Sequence, residues 1–414
     1  MDKTIALITA GGRLDLLSEL RSKAAMPFAG KFRLVDFTLS NCVNSGVEDI
    51  GIITQYMPNS LKRHLGIGKP WDLDRKKGGI TILQPFKGPE KDYWSQGNAQ
   101  SVYYHLSYLR SKETVEEVLI LPGNLVYKMD YRKLIKEHRN NEAELTIAGN
   151  NISYQAAQHF STIKYRPDFK ITDIKQNQKP ANNLVSMGVY VFNKNTLVEI
   201  LDKYCNQGIV DFETGIIPKM VSEGRDVYLT KFDGYWKTIR TTQSYWKSNL
   251  ETTENIPKLN LYDNDWPIYT RSEEKPPVKF GENSNTTKSL ISNGAIVNGR
   301  VKNSVIAPGV YIEEGAMVKN SVILNNSIIR KNSEIDKTII DKDVEIKENV
   351  QIGSGSDFTI NSDAENTLEN GLNLIAKDIT IAKNIRVHRN CRINRDITAD
   401  EFENNEVLSG TTVE

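Results

Sequence analysis

From about residue 290 to residue 393, aliphatic side chains recur roughly every six positions, and no other feature of this chain restricts its fold as strongly. The series runs Ile296, Val301, Ile306, Ile312, Val318, Ile323, Ile329, Ile335, Ile340, Ile346 and Ile352. Asn, Gly, Lys, Glu and Ser fill the steps between, as in Val301-Lys302-Asn303-Ser304-Val305-Ile306 and Val318-Lys319-Asn320-Ser321-Val322-Ile323. One such coil cannot bury its inward residues alone, so several must stack, and a period of six with short β steps builds a parallel β-helix. So many successive matches argue against an ordinary antiparallel meander. The polar, acidic run from Ser354 to Asn373 breaks the period and reads as a loop inserted between coils; the spacing resumes from Ile375 to Ile393.

The first 245 residues follow a different rule. Apolar runs such as Ile5 to Ala10, Asp49 to Thr54, Val118 to Leu121 and Glu144 to Ala148 read as buried strands, and stretches such as Ser101 to Ser111 have helical spacing. Alternation of this kind predicts an α/β domain with a mostly parallel sheet. Ligands of such sheets bind at the carboxyl ends of strands, where Gly11-Gly12 and Gly123-Asn124 fall. Residues 246–285, with Leu261 to Ile268 and Pro276-Pro277-Val278, read as a packed linker rather than a tether. The expected domains are therefore 1–245, 246–285 and 286–414.

Charge and cysteine usage narrow the classes of function. A net charge of +1 gives no reason to expect nucleic acid or an anionic membrane as partner. No stretch of 18 apolar residues exists and the N-terminus has no apolar leader, so the expected location is the cytoplasm. The three cysteines, Cys42, Cys205 and Cys391, show neither disulfide nor zinc spacing.

Several long motifs then carry a resemblance: Pro27-Phe28-Ala29-Gly30-Lys31-Phe32-Arg33-Leu34-Val35-Asp36-Phe37, Leu39 to Gly46, Ile53-Thr54-Gln55-Tyr56, Tyr127-Lys128-Met129-Asp130-Tyr131, Ser186 to Phe192 and Gly234-Tyr235-Trp236. On these the chain resembles the glucose-1-phosphate adenylyltransferases of bacterial glycogen synthesis, over nearly its full length. The resemblance implies a Rossmann-like nucleotidyltransferase domain followed by a left-handed parallel β-helix of hexapeptide repeats. It also implies the family's reaction, in which the phosphate of glucose 1-phosphate attacks the α-phosphorus of ATP to give ADP-glucose and pyrophosphate. Chemistry of this kind needs positioning, cationic charge and donors to the leaving pyrophosphate more than covalent help.

Carried over residue by residue, the family's site is only partly present. Arg13 and Lys23 match its loop arginine and lysine, the retained catalytic candidates. Gly11 and Gly12 stand where the family has GGxGxRL, about three residues longer. Asn124 and Thr238 replace the two aspartates that hold Mg²⁺ in the family. The nucleotide-binding candidates are Gly11, Gly12, Gln55, Trp94 and Gly97. Those for the sugar phosphate are Gln178 (a glutamate in the family), Lys179, Ser186 and Trp236. Ser161 follows Phe160 where the family has glycine, and Arg240 stands where it also has glycine. Arg21 and Arg33 match residues of the family's effector pocket, although Leu20 replaces the lysine before Arg21.

A hard divalent cation binds weakly without anionic ligands, and the phosphate loop and both carboxylates serve one chemical event. The expectation is a regulatory subunit with lost or weak catalysis, partnered by a catalytic paralogue in a hetero-oligomer expected to be a tetramer. Mg²⁺ would be needed only if the chain is active. Retained binding of ATP or glucose 1-phosphate would suit an allosteric role. Two other readings stay open: an active adenylyltransferase whose metal site uses Asp residues elsewhere, and a sugar-phosphate or nucleotide sensor without a partner enzyme.

Overall fold

The computed structural model describes residues 3–85, 95–176, 179–180, 182–363 and 368–414. The apolar runs read as strands form β1 (Thr4–Thr9), β2 (Asp49–Ile53), β4 (Glu117–Pro122) and β6 (Leu145–Asn151), and they are joined by β3 (Gly79–Leu83), β5 (Leu125–Tyr127), β7 (Ser161–Tyr165), β8 (Ile171–Gln176), β9 (Leu184–Asn193), β10 (Val227–Lys231) and β11 (Trp236–Thr238). Nine of them make one sheet whose main path is β8-β7-β9-β4-β1-β2-β3, with β6 pairing β9 and β10. The sheet is mixed. The strands β4, β1, β2 and β3 run parallel, whereas β9 is antiparallel to β4, β6 and β7. β1 is buried along nearly its whole length, as a strand covered on both faces must be. The helical stretch expected from Ser101 to Ser111 is two short helices, Asn98–Tyr103 and Leu106–Arg110, broken at His105, where ψ is 18°.

From Lys279 onward the chain winds into a left-handed parallel β-helix of hexapeptide repeats. Its strands are two or three residues long and fall into three sheets, each strand pairing in parallel with the one a coil later. Val301, Ile306, Ile312, Val318, Ile323 and their successors point inward and are almost wholly buried. One step of the series differs: Ile296 is 37% exposed, and its neighbour Val297 fills the interior instead. The corners between strands need a left-handed backbone, and Asn303, Asn320, Asn326, Asn332, Asn349, Asn384 and Asn390 supply it with φ from 48° to 63°. Asparagine tolerates this region because its short amide bonds locally. Here the amides also stack: Asn303 Nδ2 donates to Asn320 Oδ1 at 2.8 Å and Asn320 Nδ2 to Asp336 Oδ1 at 2.9 Å. The predicted insertion holds no strand between Ile352 and Asn373 among the described residues.

Residue 245 lies inside the helix Thr242–Glu251, which caps itself at Thr241 and packs on the β-helix, with Trp246 Nε1 donating to Asn320 O at 2.8 Å. The first β-helix strand is Lys279–Phe280, before residue 286. Between them the connector packs on the helix Leu34–Asn44, as Trp266 Nε1 to Asn41 Oδ1 and Asn44 Nδ2 to Pro267 O, both 2.9 Å, make plain. One continuous apolar cluster joins Leu14, Leu17, Phe28, Phe32 and Phe37 to the β-helix interior.

Candidate functional site

Two clefts open along the carboxyl ends of the parallel strands. The smaller, of about 330 Å³, is lined by Thr9, Gly11 and Gly12 after β1, Gln55 after β2, Asn124 after β4, and the Ser95–Asn98 turn. Strand-end hydrogen bonds fix its floor: Ala10 N donates to Ile53 O and Gly123 N to Thr9 O, both at 2.9 Å. Gln55 is held by a reciprocal pair with Ser95, its Nε2 donating to Ser95 O at 2.7 Å and its Oε1 accepting from Ser95 Oγ at 2.5 Å. A Cβ on Gly97 would sit 2.3 Å from Val210 O, so this wall tolerates no side chain there. The loop turns at Gly12, whose φ of +90° suits glycine alone.

The candidate residues do not all face these clefts. Arg13 is exposed and lies over the Tyr56 ring, 4.7 Å from its centroid. Lys23 is half-buried beneath Gly12, and its backbone N–H donates to Gly12 O at 3.2 Å. Burial first, and then the charge of Arg240, hold the Lys23 ammonium below its ordinary pKa. The second cleft, of about 820 Å³, includes Phe160, Gly234, Trp236, Thr238, Asn150 and Glu251. Trp236 packs against Phe160 with ring centroids 5.4 Å apart. Ser186 is 2% exposed and lines neither cleft; its Oγ accepts from Gly188 N at 3.1 Å in the irregular middle of β9. Lys179 is exposed, and Trp94 and Gln178 lie outside the described residues. Glu213, which motif matching does not reach, accepts hydrogen bonds from Ser161 Oγ at 2.8 Å and Tyr190 OH at 2.9 Å.

Asn124 and Thr238 come together. β11 pairs antiparallel with β5, setting Thr238 opposite Leu125, and Ile239 N donates to Asn124 O at 3.4 Å. The backbones at these positions are adjacent, but the side chains line different clefts and offer one neutral amide and one hydroxyl. Among the described residues, no group of three or more His, Cys, Asp or Glu side chains is arranged to hold a metal ion. The residues present do not fit Mg²⁺, which calls for carboxylate oxygens.

A third cleft, of about 790 Å³, lies between the N-terminal domain and the β-helix. Cations crowd it: Arg21, Lys31, Arg33, Arg63, Arg271, Lys342 and Lys377, against Glu273, Glu274 and Asp343. Arg21 is already engaged, donating through Nη2 to both oxygens of Asp341 at 2.6 and 2.5 Å with both side chains buried. Arg33 donates through Nη1 to Ala25 O and to Ser60 Oγ at 3.2 Å. Burial, with the nearby charges of Arg33 and Arg21, pushes the Lys342 ammonium down to about 8.

A glycine loop at the end of the first strand of such a sheet, followed by a hexapeptide β-helix, defines the class: a nucleotidyl transferase domain carrying a C-terminal hexapeptide domain. Family models match accordingly, nucleotidyl transferase over residues 5–255 and the GlmU-like C-terminal hexapeptide over residues 276–375. Three similar proteins are all glucose-1-phosphate adenylyltransferases. That of Pseudothermotoga lettingae is 48% identical over 363 residues, 86% of each chain. That of Acetivibrio thermocellus is 37% identical over 415 residues, covering 99% of this chain and 97% of the other. That of Thermomicrobium roseum is 40% identical over 444 residues, covering 100% and 98%. The chain belongs to the glucose-1-phosphate adenylyltransferase family.

Proposed function

We propose that this chain is a subunit of a glucose-1-phosphate adenylyltransferase of glycogen synthesis, regulatory in role, with catalysis lost or weak on its own. In the reaction of the assembled enzyme, a phosphate oxygen of glucose 1-phosphate bonds to the α-phosphorus of ATP while the bond to pyrophosphate breaks. One observation carries the reading: the neutral Thr238 pairs with Leu125, next to the neutral Asn124 whose carbonyl accepts from Ile239 N, at the positions where the resemblance puts the metal-binding carboxylates. The short loop adds to it, since of its residues only Gly11 and Gly12 line the cleft. The partner is an active paralogue in a cytoplasmic hetero-oligomer, a tetramer in this reading. The interdomain cleft, with its surplus of cations, suits an anionic effector.

The test is pyrophosphate release from ATP and glucose 1-phosphate with Mg²⁺. The chain alone is expected to be nearly silent, and mixing it with an intact paralogue is expected to change that enzyme's substrate affinity or effector response. Turnover by the unmodified chain alone at the rate of an intact family member would overturn the regulatory reading. It would return the chain to catalysis with a metal held by other residues.

A further inference from the structure

The connector between the domains passes across the interdomain cleft and is fastened to both of its walls. From Tyr269, whose backbone N–H donates to Ser40 Oγ at 2.9 Å, to Pro276, whose carbonyl accepts from Gly294 N at 2.6 Å, the chain forms neither helix nor strand. Arg271, Ser272, Glu273 and Glu274 line the cleft on this passage. Three side-chain bonds hold it. Arg271 Nη1 donates to the Arg63 carbonyl in the helix Pro58–Leu65 of the α/β domain. Asn325 Nδ2 donates to Glu273 Oε1 at 3.0 Å, and Lys275 Nζ donates to Asn326 Oδ1 at 2.6 Å. These two asparagines are consecutive at one corner of the β-helix.

The strap so formed carries two carboxylates into a space that cations dominate. Arg21 is paired with Asp341, and Lys377 with Asp378 and Asp343. Among the described residues no salt bridge reaches Arg33, Arg63 or Lys342, which line the same cleft. Burial disfavours the charge on both Arg33 and Lys342, and Glu273 is among the carboxylates that offset it. The Glu273 side chain is 46% exposed, and residues 271–274 are exposed throughout. A segment held by a few polar bonds, with little apolar burial behind them, opens at low cost.

We propose that the strap of residues 271–275 is a built-in competitor for the interdomain cleft, and that a phosphorylated anion enters by displacing Glu273 and Glu274. The proposal rests on the reading above that this cleft takes an anionic effector, and it adds what the free chain holds there instead. A tethered carboxylate is present at high effective concentration, so the cleft's apparent affinity for an anion is lowered by the cost of moving the strap. The same strap ties Arg63 on one wall to Asn325 and Asn326 on the other. An anion that displaces it therefore also releases a tie between the two domains.

The experiment is calorimetric titration of the full chain with inorganic phosphate at low and at high ionic strength, with limited trypsin digestion of the same samples. Trypsin cuts the strap only after Arg271, since Lys275 precedes a proline. The double substitution Glu273→Gln, Glu274→Gln is expected to tighten phosphate about tenfold at low salt and less at high salt. Phosphate is expected to speed cleavage after Arg271 in the parent chain, and Lys342→Gln is expected to weaken binding. Glu273 and Glu274 are exposed, so the double variant should melt like the parent. Loss of two negative charges could tighten phosphate without moving the strap, and the cleavage rate separates the two cases. Cleavage after Arg271 that is unchanged or slower at saturating phosphate overturns the strap, as does an affinity changed less than about twofold in the double variant. Failure of the underlying reading looks different: phosphate then binds neither protein, or binds with no response to Lys342→Gln, and the strap falls with it.

Discussion

Asp15 and Arg392 meet at 2.5 Å, Oδ2 to Nη2, although one lies just past the glycine loop and the other in a late coil of the β-helix. Both side chains are almost wholly buried, and Thr242 Oγ1 donates to the same carboxylate oxygen at 3.3 Å. The Asp15 backbone takes a φ of 49° to reach this arrangement, with its other oxygen capping Leu16 N. The β-helix therefore helps to shape the root of the strand-end loop and does more than support it from outside.

Arg392→Ala should test that coupling. It leaves the Asp15 carboxylate buried without its cation, and breaking a buried pair in this way costs about 3 kcal/mol or more. Denaturant unfolding should show the loss, and limited proteolysis should show faster cleavage near residues 11–20. A change under about 1 kcal/mol would mean that Thr242 and the Leu16 backbone suffice to hold Asp15.

Restoring charge at the paired strands should restore chemistry. The double substitution Asn124→Asp, Thr238→Asp is expected to raise Mg²⁺-dependent pyrophosphate release by about 10²-fold over the unmodified chain. Isotope-traced release with and without EDTA is the measurement. No gain would assign the defect to the loop.

Anion binding in the interdomain cleft should fall as the pH rises through about 8. Lys342 is charged below that value and neutral above it, while a phosphate monoester keeps its charge throughout this range. The linked stability effect has the opposite direction. Between about 8 and 10.5 the unfolded lysine holds a proton that the folded one has shed, so stability rises with pH across that window. Lys342→Gln should remove both steps, read by phosphate titration and by unfolding at a series of pH values.

Acid should destabilise the α/β domain through His138. Burial pushes this imidazole down to about 4, and its Nδ1 shares a hydrogen bond with Thr146 Oγ1 at 2.9 Å. Unfolded, it takes up a proton near 6.5. The unfolded chain thus binds more protons between about 6.5 and 4, and stability falls as pH falls through that range, by about 2–3 kcal/mol from this group. His138→Gln should flatten that limb of the pH profile in urea unfolding.

The β-helix was legible in the sequence because its inward residues answer to one rule, repeated: Val301 through Ile352 each fill the same kind of slot. Ile296 departed from it because the coil register sets Val297 in line with Ile312 and Ile296 with the outer Tyr311, so Val297 holds the inward slot. The strands of the α/β domain were equally plain, but the antiparallel course of β9 was not, since buried apolar runs look alike in either direction. In the site, the strand-end positions of Gly11, Gln55 and Asn124 followed from the motifs. The pairing of Arg21 with Asp341 and of Asp15 with Arg392 did not, because each joins residues more than three hundred positions apart. Ser186, a sugar-phosphate candidate by its motif, turned out to face inward, which no local pattern in β9 discloses.

Ala10 and Leu14 are both buried, the first at the end of β1 and the second in the cluster shared with the β-helix. Only Gly11, Gly12 and Arg13 hang between these two anchors, a span of about 14 Å when fully stretched. A bridge that short has three amides to offer and no slack with which to fold over a guest. Its geometry is set by the two banks and by the Lys23 N–H on Gly12 O, and the far bank packs in one cluster with the β-helix interior. The bridge thus shares its anchor with the β-helix interior.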